Sequence, residues 1–244
     1  MRSADSVRAV VSAAHMRGMD EAAIQRYHIP RLLLMEHAGQ AIARVVKGLL
    51  KARGTASTRT RVMVFCGSGY NGGDGLCATW HLAHEGYAAR AIVAGRIENL
   101  PEEPAVYAKI LQTLRIPCVE LQEQDRLPTT MRHLKTSHAV IDALLGIGLR
   151  GPVRPLHARL IEAINQARCP VVSVDIPSGL DADSGQPLGC AVEADVTLTF
   201  GAIKQGLARP AARRYVGRLL VEDIGIPRAV WPRTARSRGR QVPS

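Results

Sequence analysis

The sequence has few cysteines, and none of them forms a Cys-x-x-Cys pair. The five cysteines are an odd number at irregular spacing, which favours reduced thiols over a disulfide framework or a zinc site. No apolar run approaches the roughly 20 residues that a membrane-spanning helix needs. Residues 1–11 contain too short an apolar stretch for a secretory signal. We therefore predict a cytoplasmic protein without a membrane segment.

Acidic residues are scarce near the C-terminus, where the excess of basic residues is concentrated. The formal net charge is +11, and residues 228–244 carry five arginines and no acid. This segment has too little apolar material to offset its ordering entropy. We therefore predict one domain over residues 1–227 and a basic, disordered tail over 228–244. We interpret the tail as a solubilising extension, and a nucleic-acid partner is not expected.

Hydrophobic patterning predicts two helices before the first strand, and then strands that alternate with helices. The helices are predicted near residues 16–27, 30–51, 73–84, 101–114 and 156–167. The strands are predicted at residues 61–66, 89–93, 118–121, 139–144, 171–174, 196–200 and 218–222. Such an alternation predicts an α/β fold with a mostly parallel sheet that is covered by helices on both faces.

Ligands bind parallel sheets beyond the carboxyl ends of the strands. The segments that follow Cys66, Leu144, Val174 and Phe200 all contain glycine, and each comes directly after a predicted strand. We therefore predict that these four loops converge on one site.

The first of these loops carries Gly67, Gly69 and Gly72 in a Gly-x-Gly-x-x-Gly spacing between a strand and a helix. There the backbone and the helix N-terminus can hold an anion such as a pyrophosphate, although a tight glycine turn gives the same pattern. An ordinary dinucleotide fold also places an acid at the end of the second strand, where this chain has only Ala94, Gly95 and Arg96. The missing acid argues against an NAD- or SAM-dependent enzyme that uses this loop alone.

Two aspartates, Asp142 and Asp175, stand at the ends of predicted strands beside glycine loops. An unpaired carboxylate within an apolar strand is costly. Asp142 is therefore either a structural anchor for backbone N–H groups or a group that faces a cation or substrate, and the residues leave both roles open. Two such positions together favour function over packing.

Five segments together resemble the YjeF N-terminal domain family, in the order of that family, over roughly residues 10–227. They are residues 16–39, GSGYNGGDG at 67–75, IDALLGIGLRGPVRP at 141–155, VDIPSGLDADSG at 174–185 and ADVTLTFGAIKQGL at 194–207. The resemblance implies a Rossmann-like three-layer α/β/α sandwich and a homodimer. It also implies NAD(P)H-hydrate (NAD(P)HX) epimerase activity, which interconverts the R and S hydrates of NADH and NADPH.

The resemblance also implies roles for individual residues. The stretch that contacts the substrate corresponds to Tyr70, Asn71, Gly72, Gly73 and Asp74, and a second substrate loop to Gly146, Ile147, Gly148, Leu149, Arg150, Gly151 and Pro152. The substrate-binding aspartate corresponds to Asp175. The potassium ligands of the family correspond to Asn71, Asp142 and Ser178, which offer hard oxygen donors suited to an alkali cation.

Three positions depart from the family pattern. Tyr70 replaces the first Asn of the family's NNGGD stretch, His37 replaces the Asn of MENAG, and Ile147 replaces the Thr of a GTG loop. We expect His37 and Ile147 to lie near the cleft, where they would change the orientation of the substrate.

The implied reaction needs proton transfer at the C6 hydroxyl of the hydrated nicotinamide ring. Asp175 is our candidate acid/base, because apolar loop residues are expected to shield its carboxylate; the alternative is that it only binds a ribose hydroxyl. The chain ends before the kinase-like dehydratase domain of many family members, so we expect a separate NAD(P)HX dehydratase. The alternative function is a non-catalytic YjeF-type module that binds a nucleotide or RNA.

Overall fold

The computed structural model describes residues 9–55, 59–122 and 128–232. The strands in these residues are β1 (Val10–Val11), β2 (Arg61–Cys66), β3 (Ala88–Ala94), β4 (Cys118–Leu121), β5 (Ala139–Ala143), β6 (Val171–Val174), β7 (Val196–Phe200), β8 (Ile203–Lys204) and β9 (Arg218–Glu222). The α-helices are α1 (Ala13–Gln25), α2 (Arg31–Ala52), α3 (Tyr70–His84), α4 (Glu102–Thr113), α5 (Pro128–Lys135), α6 (Pro155–Asn165) and α7 (Arg213–Val216).

Seven of the described strands form one sheet in the order β4-β3-β2-β5-β6-β7-β9, and every neighbouring pair is parallel. The predicted bounds of these strands agree with the observed bounds to within one residue. The two-residue strands β1 and β8 pair with each other in a separate parallel ladder. The predicted parallel sheet is therefore confirmed.

Alternating side chains of the strands pack into two separate cores. In β2, Val64 belongs to a core shared with α2, α3 and α4, whereas Met63 and Phe65 belong to a core shared with α6. This follows from the two-residue period of a strand, which sends neighbouring side chains to opposite faces. Helices thus cover both faces, which confirms the three-layer arrangement. In the described ranges, no helix combines the length and apolarity needed to cross a membrane.

The path of the chain creates a switch point in the sheet. After β2 the chain moves outwards to β3 and β4, and then it returns to β5 on the other side of β2. The loops that leave β2 and β5 therefore diverge at their carboxyl ends. Open α/β sheets bind ligands in the crevice at such a point.

Strands β1 and β8 and helices α5 and α7 are not among the elements predicted from the sequence. The two strands have only two residues each, which is too short for a two-residue periodicity to be recognised. Helix α3 begins at Tyr70, before its predicted start at residue 73, because Gly69 already serves as its N-cap. The predicted positions of the other helices agree with the structure, with small shifts at their ends.

The packed domain extends beyond the predicted boundary at residue 227. Trp231, which we assigned to the tail, is 8% exposed and belongs to the core on the α2 face. Its indole N–H donates to the carbonyl oxygen of Ile226 over 3.2 Å. Burial of so large an apolar ring offsets the entropy of ordering the segment. The packed chain therefore continues at least to Trp231, and residues 233–244 lie outside the described part.

Candidate active site

A cleft of about 780 Å³ opens at the carboxyl ends of β2, β5, β6 and β7. Its volume lies in the range of small-molecule sites. The four loops that were predicted to converge all contribute, through Ser68, Leu144, Asp175 and Lys204 among others. Residues of α1 and α2 complete the lining, so the two N-terminal helices close the cleft from the side.

Most of the predicted substrate residues line this cleft. They are Tyr70, Asn71, Asp74, Gly146, Ile147, Gly148, Leu149, Arg150, Pro152 and Asp175. Gly72, Gly73 and Gly151 are not among the lining residues. A side chain at Gly72 would lie 1.9 Å from the Gly67 carbonyl oxygen, and one at Gly73 would lie 2.6 Å from the Met35 side chain. These two glycines therefore allow α3 to pack closely against its neighbours.

Asp175 lies at the centre of a tight three-residue turn. Its φ is 63°, and the N–H of Ile176 donates to the Val174 carbonyl oxygen over 2.7 Å, which makes a γ-turn of the rare positive-φ type. Such a backbone costs on the order of 1–3 kcal/mol for a residue with a side chain and is found mainly at functional sites. The strained turn supports a functional role for Asp175.

A buried lysine, Lys204, holds the carboxylate of Asp175. Lys204 is 1% exposed, and its ammonium donates to Asp175 Oδ1, to Thr199 Oγ1 (3.0 Å) and to the Phe200 carbonyl oxygen (3.0 Å). These bonds use all three donors of the ammonium group. Asp175 Oδ1 also accepts from Thr199 Oγ1 and from the Phe200 N–H, both at 3.2 Å. Asp175 Oδ2 has no protein donor within the described ranges.

The predicted apolar surroundings of the Asp175 carboxylate are therefore wrong. The carboxylate is paired with a cation and bonded to polar groups, and 13% of its side chain is exposed. Sequence reasoning missed Lys204. The available signal was a single lysine within the largely apolar stretch at residues 200–207, where a charge needs a buried partner.

Asp20 on α1 and Asp74 on α3 line the cleft near the same ion pair. Burial raises the pKa of Asp20 to about 6, and the negative charge of Asp175 acts in the same direction. Burial and the charge of Asp175 also raise the pKa of Asp74 well above its usual value. We call Asp20, Asp74, Asp175 and Lys204 the acidic floor. Three carboxyl groups beside one ammonium cannot all ionise cheaply, which favours the protonated forms of Asp20 and Asp74.

Asp142 lies beneath the cleft and is fully buried. Its Oδ2 accepts from Ser173 Oγ (2.7 Å) and from the Ser178 N–H (2.9 Å), and its Oδ1 accepts from Ser178 Oγ (2.5 Å) and from the Leu144 N–H (3.3 Å). Burial raises the pKa of Asp142 despite these hydrogen bonds. A carboxylate has about four acceptor sites, and all are used here. The structure thus supports the anchor role: Asp142 ties the loop after β5 to the loop after β6.

The other two predicted potassium ligands lie beside this anchor. Ser178 Oγ accepts from the Leu145 N–H over 2.8 Å, and Asn71 packs against the neighbouring Gly146. In the described residues, the buried Nδ2 of Asn71 has no hydrogen-bond partner. A half-turn of this amide exchanges nitrogen for oxygen, so Asn71 can offer an oxygen to a cation. The donor chemistry fits an alkali cation, but Asp142 would have to release one donor to bind it directly.

Basic side chains line the same cleft as the acidic floor. The arginines that line the cleft are Arg17, Arg31, Arg150 and Arg154. Arg17 donates to the Ile147 carbonyl oxygen over 3.1 Å, and the Arg31 guanidinium lies 4.3 Å from the centre of the Tyr70 ring. We call these four arginines the arginine rim, so the cleft combines an arginine rim with an acidic floor.

Residues 31–206 match the protein family described as YjeF-related protein N-terminus, and this match covers most of the chain. The chain belongs to this family. Membership confirms the resemblance carried by the loops after β2, β5 and β6. These are the loops that form the cleft, so the family pattern and the geometry identify the same region.

Relatives and a solved structure agree with this family. The bifunctional NAD(P)H-hydrate repair enzyme Nnr of Pyrobaculum aerophilum is 42% identical over 203 residues, which are 82% of this chain and 38% of that enzyme. The NAD(P)H-hydrate epimerase of Limosilactobacillus fermentum is 34% identical over 213 residues, which are 87% of this chain and 95% of that protein. The chain thus spans less than half of the bifunctional enzyme but nearly all of the epimerase. The crystal structure of yeast ynu0, YNL200c, shares the fold, with a TM-score of 0.74 and 24% identity over 88% of each chain.

The departures from the YjeF pattern lie in different places. Ile147 and Tyr70 line the cleft, and Tyr70 is 44% exposed. His37, which we expected near the cleft, is not part of its lining. Its Nδ1 lies 2.7 Å from the Ile224 carbonyl oxygen, so it connects α2 to the segment after β9. In this YjeF domain, His37 therefore has a structural role, because its ring nitrogen lies within hydrogen-bond distance of a backbone carbonyl oxygen.

Proposed function

We propose that this chain is an NAD(P)H-hydrate epimerase that interconverts the R and S forms of NADHX and NADPHX. The observation that carries the proposal is the acidic floor at the switch point. There Lys204 donates to one oxygen of Asp175, and the other oxygen, Oδ2, accepts from no donor in the described residues. The name of a relative that the chain covers almost completely supports the same activity.

The charge pattern of the cleft suits a hydrated nicotinamide dinucleotide. The arginine rim and the N-terminus of α3 favour the negative pyrophosphate. The acidic floor favours the nicotinamide ring, which becomes positively charged when the hydroxyl on C6 leaves. We propose that the substrate lies with its phosphates at the rim and its hydrated ring above Asp175.

The reaction breaks and re-forms one C–O bond. A protonated carboxyl group gives its proton to the C6 hydroxyl, water leaves, and the lone pair of the ring nitrogen stabilises the resulting cation. Water then adds to the opposite face of C6 and returns a proton to a carboxylate. We assign Asp175 to the exchange of the proton at this oxygen, and Asp20 is the neighbouring acid that is partly protonated at neutral pH.

We propose potassium as the cofactor, held by Asn71, Asp142 and Ser178 between the loops after β2, β5 and β6. Its chemistry there would be electrostatic, since it would order these loops and offset negative charge. The test compares thermal stability and activity in potassium chloride and in tetramethylammonium chloride. Wild-type protein should be more stable and more active in potassium, and Asn71→Ala should lose this difference. Identical wild-type results in the two salts would remove potassium from the account.

The test of the proposed activity follows R and S NADPHX by chromatography after addition of the purified chain. Equilibration faster than in buffer alone supports the epimerase. The same preparation is also tested for binding of RNA and of NADPH. Binding of RNA without any acceleration would favour the non-catalytic module and overturn the proposal.

Three further properties belong to the proposal. We propose that the chain acts in the cytoplasm, that it forms a homodimer, and that a dehydratase consumes the S hydrate. Sedimentation velocity checks the dimer: a single species at the monomer mass over a wide concentration range would contradict it.

A further inference from the structure

A second cluster of reactive side chains lies outside the cleft, between α2 and α3. Glu36 of α2 and Cys77 and His81 of α3 each direct one ligand-type atom to a common point, and these atoms lie within 4.8 Å of one another. Glu36 Oε1 is 2.8 Å from His81 Nε2, and Glu36 Oε2 is 3.4 Å from Cys77 Sγ. None of the three residues lines the cleft.

We propose that Glu36, Cys77 and His81 form a binding site for a zinc-class divalent cation. Thiolate, imidazole and carboxylate are the three ligand types that Zn²⁺ takes from proteins, and a tetrahedral zinc ion places its ligand atoms roughly 3.3–3.7 Å apart. The two separations from Glu36, 2.8 and 3.4 Å, lie within roughly 0.5 Å of this range, and the Cys77–His81 separation is at most 4.8 Å. Small rotations of the side chains would therefore admit the ion.

The helix geometry supports this site. Cys77 and His81 are four residues apart on α3, so they share one face of the helix. The same spacing presents the two histidines of helical zinc motifs. Glu36 comes from the neighbouring helix, and Tyr107 of α4 donates to its Oε2 over 2.6 Å, which fixes the orientation of the carboxylate.

The charge and exposure of the cluster also fit a divalent ion. One thiolate and one carboxylate would neutralise Zn²⁺, so a partly buried site would carry no net charge. The side chains of His81 and Glu36 remain 18% and 30% exposed. Water can therefore reach the ion and supply a fourth ligand. Cys118, a half-buried thiol that packs against the same core, has no comparable cluster among the described residues.

The test uses the full chain after treatment with a chelator and titrates it with Zn²⁺ and with Co²⁺. Wild-type protein should bind one ion per chain, show a thiolate-to-cobalt absorption band and melt at a higher temperature with zinc. Cys77→Ser should weaken binding by roughly 100-fold or more, because loss of even an outer partner of a metal ligand costs 10–100-fold. His81→Asn should also weaken binding. The matched controls Cys118→Ser and His84→Asn should bind like the wild type.

Two outcomes would overturn the proposal. The first is the absence of a thiolate-to-cobalt band in the wild-type chain. The second is Zn²⁺ affinity and zinc-dependent melting that are unchanged in a folded Cys77→Ser variant, which would place any bound ion elsewhere. Neither outcome depends on epimerase activity, so this test stands apart from the proposed function.

Discussion

Asp142 and Asp175 lie at the ends of neighbouring strands, β5 and β6, yet their surroundings differ. Asp142 is fully buried and accepts only from hydroxyl and backbone N–H groups, which fill all of its acceptor sites. Asp175 is paired with the ammonium of Lys204, lines the cleft and keeps one oxygen without a protein donor in the described part of the chain. Solvent access and the nature of the donors thus make one aspartate a structural anchor and the other a candidate reactive group.

The largest effect is expected when the anchor is removed. Asp142→Ala leaves four buried hydroxyl and N–H donors without this acceptor, at about 1–3 kcal/mol each, so we expect a loss of about 4 kcal/mol or more. Urea unfolding checks this value. Asp195→Ala is the matched control, since Asp195 is exposed and accepts one N–H, from Val171. Equal losses in the two variants would contradict the anchor role of Asp142.

The next effect concerns activity. Asp175→Asn should slow epimerisation by about 10²-fold or more, as is typical for loss of a proton-transfer group. It also leaves the buried ammonium of Lys204 without its counter-charge, so the variant should be less stable than the wild type. The double variant Asp175→Asn/Lys204→Met removes both charges and should recover stability but not activity. Recovery of activity in the double variant would refute the role assigned to Asp175.

Removal of Trp231 tests a contribution to stability that involves neither Asp142 nor Asp175. Truncation after residue 227 should cost about 2–3 kcal/mol, less than the 3–5 kcal/mol typical of a central core Trp, because the residue lies at the edge of the domain. Truncation after residue 232 keeps the ring and should have little effect. The melting temperatures of the two truncated chains test this prediction. Equal melting temperatures would show that the packing of Trp231 does not contribute to stability.

The smallest effect is a pH dependence at Asp20. Because burial raises its pKa to about 6, ionisation costs folding energy, so stability is present at low pH and is lost as the pH rises through about 6. Asp20→Asn cannot ionise and should be more stable than the wild type at pH 8 by on the order of 1–2 kcal/mol, with little difference at pH 4. Urea unfolding at both pH values tests this. A gap between Asp20→Asn and the wild type that is equal at both pH values would argue against a raised pKa of Asp20.

The same variant also tests the proposed chemistry. The kcat/KM of the wild type should change with pH near 6, where Asp20 titrates, and this part of the profile should disappear in Asp20→Asn. An unchanged profile would assign the acid to another group, such as Asp74.

The positions of the strands and the convergence of the loops could be predicted from the sequence, because buried parallel strands and their glycine loops have a strong local pattern. The partner of Asp175 could not, since Lys204 lies on a two-residue strand whose pairing with β1 depends on distant residues. The role of Asp142 also stayed open, because its donors come from a different strand end at Ser173 and Ser178. The burial of Trp231 could not be predicted, because the residues around it in the sequence are mostly basic and polar and give no apolar pattern.

The interconversion of R and S NADPHX in the Asp175→Asn/Lys204→Met variant, measured beside the wild type, tests the central claim most directly. Circular dichroism first establishes that both proteins are folded at the assay temperature. The account predicts that the wild type equilibrates the two hydrates well above the rate in buffer, and that the variant is slower by about 10²-fold or more. A folded variant that equilibrates them at the wild-type rate, or a folded wild type that adds nothing to the rate in buffer, would contradict it.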